Sequence, residues 1–268
     1  MAEHGIPALF VLFLWWFTTG AILYLDGLRR ETFRWTMLGA TTLLLVALAG
    51  LHATAGDASS RGAYLAFVFG VLVWGWIELA FLTGLVTGPR RTACPEGARG
   101  FARLKAALGT LLWHELAILV AAALIWIAVG GGENLIGFYT FLAFWLMRQS
   151  AKINVYLGVR NLAEAFLPDH LRYLESFFRR RPMNWLLPVS VLAGIATCFL
   201  LMRVAVAPGA TPHEVAGYTL LAALVALGVV EHLFMVAPVP ADALWRWGLA
   251  SRTIPPTPAN AARATGGA

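Results

Sequence analysis

Glu78 (WGWIELAF), His114 and Glu115 (LLWHELAI), Arg148, Gln149, Lys152 and Asn154 (MRQSAKINVY), and Glu231 and His232 (VVEHLFMV) stand inside stretches of the chain that are otherwise apolar. An ionisable side chain in hydrocarbon is costly, so each is a candidate for function. One reading is an ion-pair lock. Arg148 and Lys152 are four residues apart and share a helix face, and Glu78, Glu115 and Glu231 supply the opposite charge. A second reading is a site for a cofactor, pigment or substrate. The imidazoles of His114 and His232 have the chemistry of axial donors to the magnesium of a chlorin, or less readily to the iron of a haem. Glu115 or Glu231 with the neighbouring His would then also serve as acid and base on a lipid-soluble pigment intermediate.

A di-metal centre fits the sequence less well. Glu-x-x-His places both ligands on one helix face, whereas the adjacent pairs His114-Glu115 and Glu231-His232 splay by about 100°. No metal site and no catalytic residue is assigned. A retinal Schiff base needs a lysine in the last apolar segment, and the lysines are Lys105 and Lys152. There is no Walker loop, dinucleotide fingerprint, CxxC pair or HExxH motif, and GGGE at 130–133 reads as a tight turn.

The elements that carry these residues are legible from composition. The chain is 59% hydrophobic and 13% charged, about half the charge of an ordinary soluble domain. Its apolar residues fall into blocks of about 20, the length that crosses a bilayer core of about 30 Å. The expected fold is therefore all-α, a polytopic membrane bundle of about seven helices over 6–24, 35–53, 63–86, 107–129, 135–157, 186–206 and 215–236, within a membrane domain of residues 1–240. By helical rise the polar residues share one depth, roughly 10 Å from one face. The N-terminus lacks a basic leader, and its apolar run is too long for a signal-peptide core, so it is expected to remain as the first helix.

Every Lys and Arg except Arg61 and Arg203 falls on one side of these spans or at its edge. That bias predicts a cytoplasmic C-terminus and an external N-terminus. It also explains the net charge of +6 without invoking nucleic acid, since basic loops face anionic headgroups. Cys94 and Cys198 lie in a loop and in a span, and are expected to be free thiols. The segment 166–181 (FLPDHLRYLESFFRRR) has a helix-start signal, with Leu167, Leu171, Leu174 and Phe178 at helical spacing, and is expected to form an amphipathic helix on the cytoplasmic interface. Its terminal Arg179, Arg180 and Arg181 are candidates for docking a partner or anionic lipid. Residues 241–268 are expected to be a disordered cytoplasmic tail, rich in Ala, Pro, Thr and Gly from Ser251 onward.

FLWWFTTGAILYLDGL, FLTGLVTGPRR, LLWHELAIL and above all WLMRQSAKINVYLGVRNLAEAFLPDHLRYLESFFRRRPMN resemble the photosynthetic complex assembly protein 2 (PuhE) family. The resemblance runs from the first span to about Pro188 and more loosely through the last. It implies a multi-pass protein of the bacterial inner membrane, cytoplasmic or intracytoplasmic, encoded with the reaction-centre H subunit. It also implies reaction-centre or light-harvesting subunits as partners, and a part in assembling them or in their bacteriochlorophyll supply. It carries over no catalytic residues. The alternatives are a membrane enzyme acting on a pigment intermediate and a transporter of a small solute.

The charge bias makes the first prediction. Reporter fusions should be cytoplasmic after Arg30, Arg99 and Arg180 and external near Arg61 and Pro208; the reverse pattern at most of these points would contradict it.

Overall fold

The computed structural model describes residues 2–253, and among them the chain is helical, with one isolated bridge between Val159 and Arg180 and no strand. Seven long helices stand where the apolar blocks fall: α1 (Ala2–Asp26), α2 (Phe33–Thr54), α3 (Ser60–Leu82), α4 (Gly100–Val129), α5 (Ile136–Leu157), α6 (Leu186–Ala205) and α7 (Pro212–Phe234). All but α5 are long and apolar enough to cross a membrane. At about 33 Å, α5 has the length. Its second half, however, is occupied by Arg148, Gln149, Lys152 and Asn154.

Local chemistry fixes the ends. Thr211 and Glu214 form a reciprocal capping box around Pro212, which starts α7. The Ser59 hydroxyl accepts from the Gly62 amide at 3.1 Å to start α3. The two starts are stitched together, because Ser60 Oγ donates to the Pro212 carbonyl at 3.0 Å and His213 Nδ1 meets the Ser59 carbonyl at 3.2 Å. The turn after α4 docks likewise: the Asn134 amide donates to Ala55 O at 2.9 Å and its side chain to Thr54 O at 3.2 Å. The span expected over 63–86 ends sooner. The chain turns at Thr83 and Gly84, and the segment after it lies along α4, with the His114 amide donating to Thr87 O at 2.8 Å and the Arg90 amide to Gly109 O at 3.0 Å.

α3 and α7 form the interior. Within the apolar window of α3, 67% is buried, against 11% for α6, which packs chiefly on α7 at the periphery. The main core joins Phe67, Val71 and Ile77 of α3 with Ile118 and Ile125 of α4, Phe141 of α5 and Leu220 and Leu224 of α7. α3 and α5 meet backbone to backbone. A Cβ on Gly70 would lie 2.6 Å from Gly137 O, and one on Gly137 would lie 2.7 Å from Ala66 O. Small residues at that crossing let two central helices approach closely, the usual basis of helix association where water is absent.

Two expectations fare differently. In place of an amphipathic α-helix near 166–181 there is a 3-10 helix over Asp169–Phe177, flanked by extended chain. The buried side chains are Leu171, Leu174 and Phe177, a spacing of three that stacks on one edge of a 3-10 helix but drifts around an α-helix. The beginning of the expected tail is folded as well. Residues 241–253 form 3-10 turns around a short helix, α8 (Arg246–Leu249), that packs on α1. Trp245 is buried and stands edge-on to Trp15 at 5.0 Å, and its indole donates to Trp16 O at 3.0 Å. Arg252 closes the joint with a 2.7 Å ion pair to the buried Asp26. The rest of the tail, from residue 254, lies outside the described residues. Cys94 and Cys198 are both free.

Candidate functional site

Most of the polar residues inside the long helices come together, in two groups, while Glu231 and His114 stand apart from both. The first is charged and joins α3, α4 and α5. Arg148 donates to Glu78 Oε2 at 3.0 Å, and one turn further along α5 Lys152 donates to Glu115 Oε1 at 2.6 Å. The Gln149 side-chain amide donates to the other oxygen of Glu115. The three α5 residues thus grip one carboxylate on each of two neighbouring helices. The first pair is lopsided: the Glu78 side chain is 11% exposed and that of Arg148 41%, so the guanidinium reaches the edge of the bundle.

The second group is uncharged apart from any proton on His232, and joins α5, α6 and α7. Ser150 Oγ lies 2.8 Å from His232 Nε2 and 2.8 Å from Ser190 Oγ; Asn154 donates to Ser190 Oγ at 3.1 Å. The second nitrogen of His232 lies 2.7 Å from the Gly228 carbonyl. Below this network Asn184 donates to Asn154 O and Gly158 O and accepts from the Leu186 and Leu187 amides, tying the end of α5 to the start of α6. Glu231 belongs to neither group as a partner of Arg148 or Lys152. It forms no ion pair with either cation, although the Arg148 charge acts on it, and it accepts a 2.6 Å bond from the buried Trp15 indole of α1.

His114 is 1% exposed, its ring 4.6 Å from that of Phe81 and its Nδ1 without a hydrogen-bond partner. Both nitrogens of His232 are engaged, and the unpartnered nitrogen of His114 is enclosed by the core. Among the described residues no cluster of three or more His, Cys, Asp or Glu is arranged to hold a metal ion. The layer is nonetheless not saturated. Glu78 Oε1, Arg148 Nε, Asn154 Oδ1 and Trp145 Nε1 are buried without partners, so its hydrogen-bonding capacity exceeds what the side chains use.

The proposed docking arginines are partly committed. Arg180 holds Glu164 through both carboxylate oxygens at 2.8 and 2.9 Å, the Arg181 stem lies over Gly158, and the Arg179 amide donates to Val155 O. Arg103 is the residue that sequence reasoning underrated. It is 5% exposed, donates to Phe177 O at 2.6 Å, and lies 4.0 Å over the Tyr156 ring, so it pins the 3-10 segment to α4 and α5. Ser150, Ser190 and Asn184 were missed too; polar residues at the ends of two apolar spans were their only signal.

A family model described as protein of unknown function, DUF3623, matches residues 1–255. The chain belongs to the DUF3623 family. The DUF3623 chain is also 42% identical over 256 residues to a Rhodobacter capsulatus protein described as an uncharacterized 30.4 kDa protein in the puhA 5' region, covering 94% of this chain and 93% of that one. No solved structure matches it.

The pairing predicts how substitutions separate. Lys152→Met leaves Glu115 with one donor instead of two, and Glu115→Gln leaves Lys152 with no carboxylate; each should lower the folded fraction, at the low end of about 3–5 kcal/mol because both side chains are partly exposed. The pair of changes together should recover much of the abundance on a membrane immunoblot, whereas a double variant as depleted as the two singles combined would refute the pairing.

Proposed function

We propose that this protein is a membrane assembly factor for the bacterial photosynthetic reaction centre or light-harvesting complex, acting as a non-enzymatic scaffold. The observation that carries this reading is the 42% identical relative in the puhA 5' region, matched along almost the full length of both chains. The sequence resemblance to the photosynthetic complex assembly protein 2 family points the same way.

The geometry favours a scaffold over a catalyst. Arg148 and Lys152 are paired with Glu78 and Glu115, and both nitrogens of His232 have partners, which supports a layer that holds α3, α4 and α5 in register rather than one that presents an acid and a base to a substrate. The outer helices offer apolar faces instead. On α6, Leu192, Ile195, Phe199 and Leu200 are exposed, and on α2 Leu38, Leu43, Leu45 and Val46. Such faces suit contact with lipid or with the helices of another subunit. In this reading the arginine-rich side is cytoplasmic, the bundle has seven spans with α5 shielded among the others, and the membrane is the inner or intracytoplasmic membrane of a phototroph.

Deleting the gene in its own phototrophic host tests this. Reaction-centre and light-harvesting absorption in membranes should fall several-fold and return on complementation. His114→Ala and His232→Ala should complement fully wherever their protein accumulates normally. Unchanged complexes in the deletion strain would contradict an assembly role, and normal accumulation of an inactive His variant would restore the ligand reading.

A further inference from the structure

A cavity of about 410 Å³ opens on the arginine-rich side of the bundle, where the α1–α2 turn, the end of α3 and the 3-10 helix converge. It is separate from the polar layer. Its walls are Arg30 and Phe33 from the first, Thr83, Thr87 and Arg91 from the second, and His170, Leu171 and Tyr173 from the third. His170 Nε2 is buried with no hydrogen-bond partner, and the buried Thr87 and Tyr173 hydroxyls have no partner beyond each other. Thr87 is 1% exposed. A buried imidazole nitrogen left unpaired costs free energy, and a hydroxyl pair bonded only within itself keeps one O–H to donate, so together they mark a place built for something they can bond.

The charge of that partner follows from the rest of the wall. Arg30 and Arg91 are both exposed and line the same space. No carboxylate lines it, and the nearby Asp169 is paired with Arg172 at 3.1 Å. The backbone supports the same geometry: Gly84 takes φ +78°, and a Cβ there would come within 3.1 Å of the His170 ring, so the turn at the end of α3 can carry the imidazole against the cavity only with glycine in that position. Two guanidinium groups with hydroxyl and phenol donors at one side are the recognition chemistry of a phosphate oxyanion, which accepts several charge-assisted bonds at once. The apolar walls Phe33 and Leu171 leave room for a substituent on the phosphate.

We propose that this cavity binds the phosphate group of an anionic ligand, held by Arg30 and Arg91 with hydrogen bonds from Thr87, Tyr173 and His170. Burial, followed by the nearby Arg30 charge, holds the His170 imidazole below its usual range. Burial pushes the Tyr173 phenol upward, which keeps its proton available for donation. The same chemistry is offered by a soluble phosphate compound arriving from the aqueous side and by the headgroup of an anionic lipid at the interface.

The test uses the full-length protein, purified and delipidated in neutral detergent. Inorganic phosphate is titrated at constant ionic strength against thermal unfolding. In parallel the protein is placed in bilayers of phosphatidylcholine with or without phosphatidylglycerol, and retained lipid is counted by native mass spectrometry. Saturable stabilisation by phosphate supports a soluble ligand; silence toward phosphate with retention of phosphatidylglycerol over phosphatidylcholine supports a headgroup. In either case Arg30→Gln and Arg91→Gln should each weaken binding about tenfold, the loss of one charge-assisted contact, while Arg203→Gln on the opposite side leaves it unchanged. If an arginine variant fails to accumulate, Thr87→Val and Tyr173→Phe keep the cavity's shape and should weaken binding by several-fold. No response to either probe, or a response equally strong in all these variants, overturns the proposal.

Discussion

Two cations in an apolar bundle must be neutralised where they stand, and the packing of this protein follows from how Arg148 and Lys152 meet that requirement. Both project from α5, one helical turn apart, so a single face of that helix demands two carboxylates at successive levels. Glu78 of α3 and Glu115 of α4 provide them. This fixes α5 in rotation and in height against two neighbours. The close crossing at Gly70 and Gly137 then brings α3 and α5 together at the other end of the same interface. With α5 set, its remaining polar side chains, Ser150 and Asn154, point to α6 and α7, where Ser190 and His232 complete them. An ion pair of this kind adds little net stability compared with apolar packing, but removing one partner is severe, so its main effect is to make one arrangement of helices far better than the others.

The sequence shows the lengths of the helices well and their rotations poorly. Apolar blocks announce seven helices because a bilayer-length helix needs no periodicity to be recognised, and Thr211-Pro212-His213-Glu214 carries its own start signal. The depth of Glu78, Glu115, Arg148 and Lys152 could be counted off by residues. Which acid meets which base could not, because that depends on the direction each helix turns. Glu231 illustrates the difficulty: it lies at the right depth to pair with a cation, yet it faces the Trp15 side of α7 and bonds the indole. The 166–181 segment misled for another reason. Leu167, Leu171, Leu174 and Phe178 satisfy a 3.6-residue period, but Leu171, Leu174 and Phe177 satisfy a period of three equally well and are the residues the 3-10 helix buries, with Leu171 and Leu174 against Phe81 and Leu82 at the end of α3. Trp245 and Trp247 looked like part of a featureless tail because their partners, Trp15, Trp16 and Gly20, are more than two hundred residues away.

The arginine-rich loops illustrate how much a charge count leaves open. As a group they set the expected orientation, but their members have individual work. Arg103 and Arg252 are structural pins with buried or half-buried contacts, Arg180 clasps Glu164, and Arg30 and Arg91 line a cavity. That cavity is assembled from three segments separated by some fifty to eighty residues, so no linear pattern announces it. It lies on the arginine-rich side of the bundle, while the polar layer lies within the helices themselves.

The central claim is that Glu78 and Arg148 are energetically coupled and that this coupling orients α5. A double-mutant cycle on Glu78→Gln and Arg148→Met, read by thermal unfolding of the purified protein, measures it directly. The account predicts that the two losses are not additive, with a coupling of about 1 kcal/mol or more. Strictly additive losses would contradict it.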